Sequence, residues 1–354
     1  MDQSSKKKVV GIIFGGRSSE HDVSIVSATT VAKAIPDDRY EKVLIGITKE
    51  GEWLLAPSIE SMEDGSWLKS KTHALISPET DRSLLLMNEE GVEKHPIDVA
   101  FPVLHGLWGE DGTIQGLFEL AGIPYVGCGY LSSAITMDKF FTKIVADSLG
   151  IAQASFVPAF RRKFANMDKI VARVEAEKEY PVFVKPSNAG SSVGVTKAHN
   201  REELIEALKK AAVHDRKILV EEAIVGREIE CAVFGCGDTA FATGVGEIIS
   251  AAEFYDYDAK YNNAESRTIL NPELPEGKLE EIREAAINIF KACDCFGFAR
   301  VDFFLEKDTN RVVFNEINTI PGHTSISMYP MLMAEAGHPM EEYVVELIEM
   351  SALR

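Results

Sequence analysis

The chain has 354 residues, more than one hydrophobic core usually serves, so two or three domains are expected. Apolar residues make up 45% and charged residues 26%, which excludes a disordered chain, and no stretch reaches the ~18 apolar residues of a membrane span. With 37 basic against 55 acidic residues the formal charge is −18, which excludes a general affinity for nucleic acid or anionic membrane and requires local cations to hold any anionic ligand.

The first eight residues are polar and lack an apolar signal core, so a cytoplasmic protein is expected. An apolar strand over 9–14 ends at Gly15-Gly16, and a helical pattern beginning at Ser24 or Ser27 runs through Ile35. A second strand over 42–47 continues into a hairpin reaching Leu55. Residues 58–93 read as irregular with one strand over 83–87, and 98–104 is another buried strand ending at His105-Gly106. Strands alternating with helices over this first third predict a parallel α/β domain, 1–128.

A helix over 132–149 opens the next region, 129–227. In it a strand ends at Lys185-Pro186 and is followed by a Gly/Ser-rich loop, a helix over 201–212 and a strand over 218–222. The third region, 228–354, has strands over 228–234 and 240–248, then a polar tract within 250–275 whose length suggests a functional lid. A helix over 276–292 precedes a strand pair, 298–305 and 311–317, and helices over 329–336 and on to Met350 close the chain. The five cysteines are scattered and odd in number. Structural disulfides are not expected, and Cys293-Asp294-Cys295 reads as buried thiols because no second close Cys/His pair would complete a metal site.

Chemistry concentrates at strand ends. Side chains alternate along a strand, so Arg300 and Asp302 share one face, as do Glu316 and Asn318 on its neighbour. Two carboxylates and an amide oxygen are hard donors suited to magnesium, which leaves positions open for phosphate oxygens. The same pattern also fits a solvent-facing sheet on which Arg300 and Asp302 pair along the strand. Lys185 ends its strand, and Lys139 and Lys143 lie at i and i+4 on a helix. The loop Pro186-Ser187-Asn188-Ala189-Gly190-Ser191-Ser192-Val193-Gly194 can cradle phosphate with its N–H groups, though it is not a Walker A loop. Glu20 follows the Gly-Gly turn, where it either meets a ligand or complements a helix dipole. His105 either orients a ligand or caps its loop. The tract Phe254-Tyr255-Asp256-Tyr257-Asp258-Ala259-Lys260-Tyr261 has the mixed aromatic and charged character of a segment that folds over a ligand.

In order and in detail these segments resemble the D-alanine–D-alanine ligase family of the ATP-grasp fold, from Gly15 to Tyr329. The specific matches are His105-Gly-x-x-Gly-Glu-Asp-Gly-x-Ile-Gln, Lys185-Pro-Ser-x-x-Gly-Ser-Ser-Val-Gly, Tyr257-Asp-Ala-Lys-Tyr261 and Asn315-Glu-Ile-Asn-Thr-Ile-Pro-Gly322. The resemblance implies an N-terminal α/β substrate domain followed by a two-part ATP-grasp fold. It implies that Glu20 binds the ammonium of a first D-alanine in a network with Ser191 and Tyr261, with His105 beside that substrate's carboxylate. Lys139, Lys185, Ser191, Ser192 and, from the lid, Lys260 would meet ATP phosphates, Glu221 the adenine amino group and Glu228 the ribose. Asp302, Glu316 and Asn318 would hold two magnesium ions, for which manganese can substitute. Arg300 and the Gly322 N–H would stabilise an oxyanion, and Ser327 would hold the second D-alanine's carboxylate. A cytoplasmic homodimer acting in peptidoglycan precursor synthesis follows from the same resemblance. Glu222-Ala223-Ile224 departs from the basic and aromatic pair of some relatives near the adenine, and His323 and Ile326 lie where the family varies. Tyr261 favours D-alanine over D-serine or D-lactate as second substrate.

Overall fold

The computed structural model describes residues 7–249 and 267–354. The first sheet has the order β6-β5-β4-β3-β2-β1-β7, formed by β1 (Lys8–Gly15), β2 (Tyr40–Ile47), β3 (Trp53–Ala56), β4 (His73–Ile76), β5 (Ser83–Asn88), β6 (Gly91–Pro96) and β7 (Val99–Pro102). Only β2, β1 and β7 run parallel; every pairing from β2 outward to β6 is antiparallel. The parallel sheet expected for this region is thus confined to one end, the three strands β2, β1 and β7. The cause is local: Thr48 N–H donates to Glu52 O at 2.8 Å around Gly51, whose φ of +97° suits glycine, and this hairpin turns β3 back along β2. The stretch 58–93 is also more ordered than its polarity suggests, since it contains a short helix, α2 (Ile59–Glu63), as well as β4 and β6.

Helix α1 (His21–Ala34) begins before either serine expected to start it, and its buried face packs on β1. After α3 (Thr113–Ala121) the helix expected over 132–149 is two, α4 (Tyr130–Met137) and α5 (Lys139–Ser148). The break is at Asp138, whose extended backbone (φ −87°, ψ 95°) lets its carboxylate cap α5 at Phe140 N–H, 3.1 Å away. The same carboxylate accepts from Ser187 Oγ at 2.5 Å and pairs with Lys217. A tertiary anchor ends one helix and starts the next, and it places Lys139 at the first turn of α5.

The second sheet, order β10-β9-β11-β8, is antiparallel and comprises β8 (Phe156–Phe160), β9 (Val182–Pro186), β10 (Thr196–Ala198) and β11 (Lys217–Glu222), with α6 (Met167–Glu177) and α7 (Arg201–His214) on one face. The third is also antiparallel, order β14-β13-β12-β15-β16, from β12 (Gly226–Gly235), β13 (Phe241–Ile249), β14 (Arg267–Leu270), β15 (Gly297–Glu306) and β16 (Val312–Asn318). Helix α8 (Lys278–Ala292) covers one face, and Cys128, Cys293 and Cys295 are buried with it as free thiols. On the other face, α9 (Met328–Glu335) and α10 (Met340–Met350) bury Tyr329, Leu332, Tyr343 and Leu347 in a core shared with Phe14 and Phe101 of the first sheet and Val31 of α1. That shared core brings the strand ends of the first and third sheets together. The loops between them carry the functional residues.

Candidate active site

The floor lies on β15 and β16. Arg300 stands opposite Asn318 and Asp302 opposite Glu316, and a bulge follows at once, so that Phe303 faces Phe314 and Asn315 is the extra residue. The alternation expected from sequence therefore holds up to the bulge. On the other neighbour, Glu230 of β12 lies opposite Asp302. Arg300 makes a forked pair with Asp302, Nε–Oδ1 2.8 Å and an Nη–Oδ2 contact of 2.7 Å, and its Nε also lies 3.2 Å from Glu230. Asn318 Nδ2 donates to Asp302 Oδ2 at 2.9 Å. Burial works against the charge on Arg300, but Asp302 and Glu230 outweigh it and hold the guanidinium's pKa well above its usual value.

Lysines close the floor from the other subdomain. Lys139 Nζ lies 3.0 Å from Glu316; burial works against its charge, but Glu316, with Glu221 and Glu110 beyond it, raises its pKa above the usual value. Lys185, at the end of β9, lies 2.7 Å from Glu221, and Lys143 reaches the same carboxylate at 3.1 Å. Burial would raise the pKa of Glu221, but the two lysines reverse the sign and bring it to about 2. Glu221 is 3% exposed with a lysine on each oxygen, and its carboxylate braces Lys185. Lys143, one of the lysines singled out by spacing, is likewise buried and serves this brace.

The loop after β9 curls over the floor with Ser191 and Ser192 at φ +47° and +57°, successive residues in the left-handed region. Ser191 Oγ donates to Glu20 Oε1 at 2.7 Å, bringing residues 171 apart into one contact. Two glycines make room for Glu20: a Cβ on Gly106 would come within 2.5 Å of its carboxylate oxygen, and one on Gly190 within 2.8 Å. Ser18 completes the junction by donating to His105 O at 2.7 Å.

His105 is buried, and both ring nitrogens face protein partners: Nδ1 lies 2.8 Å from Ile320 O and Nε2 3.1 Å from Ser27 Oγ. Glu110 accepts from Gly106 N–H and Ile320 N–H, each at 2.8 Å. Burial and the nearby charge of Glu20 push its pKa up to about 8 against those two donors. Ser327, at the start of α9, accepts from Thr324 N–H at 3.0 Å, and its Oγ would lie 2.8 Å from a Cβ on Gly322.

These groups line two adjoining cavities. One holds Glu20, His105, Arg300, Gly322 and Ser327; the other holds Lys185, Ser192, Glu228 and Asp302. Lys139, Ser191, Glu230 and Glu316 belong to both walls. A group transferred from a ligand in one to a ligand in the other crosses between charges that are already paired and positioned. The residues present fit a magnesium ion: Asp302 and Glu316 face each other and Asn318 adds an amide, all hard donors. Among the described residues no three His, Cys, Asp or Glu side chains cluster for a metal. The expected lid residues, Lys260 and Tyr261 among them, lie outside the described residues. Sequence reasoning missed Ser27 and the role of Glu110, which lay inside a quoted motif. It also missed Glu230, which the period-two step from Glu228 would have put on the same face.

Family models described as D-ala D-ala ligase N-terminus and C-terminus match residues 9–128 and 145–349. The D-alanine–D-alanine ligases of Acetivibrio thermocellus and Caldicellulosiruptor bescii are each 50% identical, covering 98% of this chain and 96% and 95% of theirs. Among solved structures, the VanG D-Ala:D-Ser ligase of Enterococcus faecalis superposes with a TM-score of 0.88 at 38% identity, covering 98% of this chain and all of that one. The D-alanine–D-alanine ligase of Coxiella burnetii gives 0.84 at 33% identity, covering 98% and 95%. Both ends of the chain match family models, its relatives span it almost whole, and its sheets follow theirs: the chain belongs to the D-alanine–D-alanine ligase family, with the ATP-grasp fold.

Proposed function

We infer that the chain joins two D-alanines into D-alanyl-D-alanine, forming ADP and phosphate, as a step in making peptidoglycan precursors. The observation that carries this reading is the wall shared by the two cavities, where Lys139 and Glu316 lie between Arg300 and the nucleotide side. An amine does not displace oxide from a carboxylate, so the γ-phosphoryl group of ATP first moves to a carboxylate oxygen of one D-alanine. Glu20, held by Ser191, takes that substrate's ammonium, and His105 forms the wall beside its carboxylate. Lys139 and Lys185 turn from Glu316 and Glu221 toward phosphate oxygens, with Ser191 and Ser192 N–H groups behind them, and Glu228 takes the ribose. Asp302, Glu316 and Asn318 would hold two magnesium ions, or manganese in their place, which when bound neutralise phosphate charge.

The second D-alanine's amine then attacks the acyl carbon, phosphate leaves, and the amine loses a proton. Arg300 and the Gly322 N–H face the developing oxyanion, where fixed donors are worth most. Ser327, at the N-terminus of α9, takes the second carboxylate, since an anion is favoured there. Lys260 and Tyr261 would close over both substrates. The enzyme acts as a cytoplasmic homodimer; no helix among the described residues is long and apolar enough to cross a membrane.

A specific observation favours a second reading, D-alanine–D-serine ligase: the likeness to the VanG D-Ala:D-Ser ligase. The test offers ATP, magnesium and D-alanine with competing D-serine or D-lactate and resolves products by mass. D-Alanyl-D-alanine is expected as the main product; a main product ending in D-serine or D-lactate overturns the substrate assignment.

A further inference from the structure

Two loops from opposite ends of the chain meet beside the first-substrate pocket, and a single buried hydroxyl joins them. Ser27 sits on α1 with no exposed surface. Its Oγ lies 3.1 Å from His105 Nε2 and also accepts the His323 N–H at 3.1 Å. The other nitrogen of His105, Nδ1, faces Ile320 O at 2.8 Å. A carbonyl oxygen can only accept, so Nδ1 carries the proton and Nε2 presents a lone pair. The Ser27 hydroxyl is therefore the donor to Nε2, while its oxygen accepts from His323. Every donor and acceptor in this chain of contacts is matched in one arrangement.

The contacts embrace the segment that holds Gly322. Ile320 is tied through His105, and His323, the residue after Gly322, is tied directly. Hydrogen bonds at both ends of a four-residue segment leave little freedom to the peptide between them. We propose that Ser27 is a positioning residue for bond formation: by donating to Nε2 it holds the His105 ring with its Nδ1 proton on Ile320 O and, through His323, aims the Gly322 N–H at the oxyanion that forms on the reacting carbon. This also assigns His105 as a strut between Ser27 and Ile320, because both its nitrogens are engaged by the protein. The inference rests on the ligase reading for what Gly322 does.

Misaligning an oxyanion donor slows the second step more than the first. Acyl phosphate that waits is lost to water, returning D-alanine and phosphate, so ATP is consumed without dipeptide. The test compares Ser27→Ala with wild type for dipeptide formed and phosphate released, for KM toward ATP, and for the nitrogen resonances of His105 in protein labelled with 15N-histidine. The expected result is a kcat for dipeptide lower by about 10-fold, short of the ~10²–10³ for removing a donor outright. The ratio of phosphate to dipeptide should rise above that of wild type with KM for ATP nearly unchanged, and the Nε2 resonance should move toward that of an acceptor without a donor. Wild-type kcat and coupling overturn the proposal. So does a loss in which KM for ATP rises in step with kcat falling, since that reports general damage. Ser27→Cys, which fills the same space with a weaker donor, carries the same comparison where the alanine variant does not fold. If wild type releases no phosphate with D-alanine present, the ligase reading itself fails, an outcome visible before any variant is made.

Discussion

The two cavities of the cleft are organised by different forces. On the nucleotide side nearly every functional group is an ion paired with another ion: Lys139 with Glu316, Lys185 with Glu221, Asp302 with Arg300. On the amino-acid side the groups are held by hydrogen bonds to backbone or hydroxyl partners, as in Glu110 to Gly106 and Ile320 or His105 to Ile320 and Ser27. The contrast suits their tasks. An ion pair is strong but weakly directional, so arriving phosphates and metal can take over its members while charge stays balanced. A backbone hydrogen bond is weaker but holds geometry, which an oxyanion donor needs to within a fraction of an ångström.

The comparison breaks most visibly at Arg300, which lines the amino-acid cavity while its ion-pair partner Asp302 lines the nucleotide one. Arg300→Ala removes a buried cation that pairs with Asp302 and Glu230, at a cost of ~3–5 kcal/mol for a broken buried pair. It also lowers turnover by ~10²–10³ as the oxyanion donor is lost, while nucleotide binding survives. Dipeptide assays and thermal melting with and without magnesium check this, with magnesium expected to recover part of the stability. Near-normal dipeptide synthesis by the variant would refute the oxyanion role.

A smaller effect is expected at Ser191, where the nucleotide loop touches the amino-acid side. Ser191→Ala removes a hydrogen bond to a carboxylate, worth ~1.5–3 kcal/mol, and should raise KM for the first D-alanine about 10-fold or more. The KM for ATP should move less. Equal rises in both would show that the serine orders the whole loop instead.

The smallest effect is a pH dependence. Glu110 carries a pKa of about 8 in the folded protein against 4.5 ordinarily, because burial and Glu20 disfavour its charge. The folded state therefore binds the extra proton between those values, and its stability contribution, complete below pH 4.5, is lost as pH rises through 8. Since one edge of Glu110 opens to the cleft, the loss should be on the order of 1 kcal/mol. Urea unfolding of wild type and Glu110→Gln at pH 5 and pH 8.5 measures it. The same slope in both proteins would remove Glu110 as its source.

Much of the site could be read from local pattern. Alternation on β15 and β16 put Arg300 with Asp302 and Glu316 with Asn318, and strand-to-loop transitions marked Glu20, His105 and Lys185. Two features of the fold escaped because their causes are distant in sequence. Asp138 breaks a helix that would otherwise run on, and the contacts that hold its carboxylate, Ser187 and Lys217, come from the second sheet. Glu221 reads as an available carboxylate until Lys143 and Lys185 are seen on either side of it.

By itself the sequence determined which strands pair their polar faces, where loops leave strand ends, and which donors suit magnesium and phosphate, since side-chain alternation and residue chemistry are local. Only the tertiary structure decided which of these groups meet. Ser191 reaches Glu20 across 171 residues, and Ser27 joins His105 to His323 across 78 and 296 residues. Such contacts depend on α9 and α10 burying their apolar faces against the first and third sheets together, a non-directional force that leaves no periodic mark at the residues it brings into register.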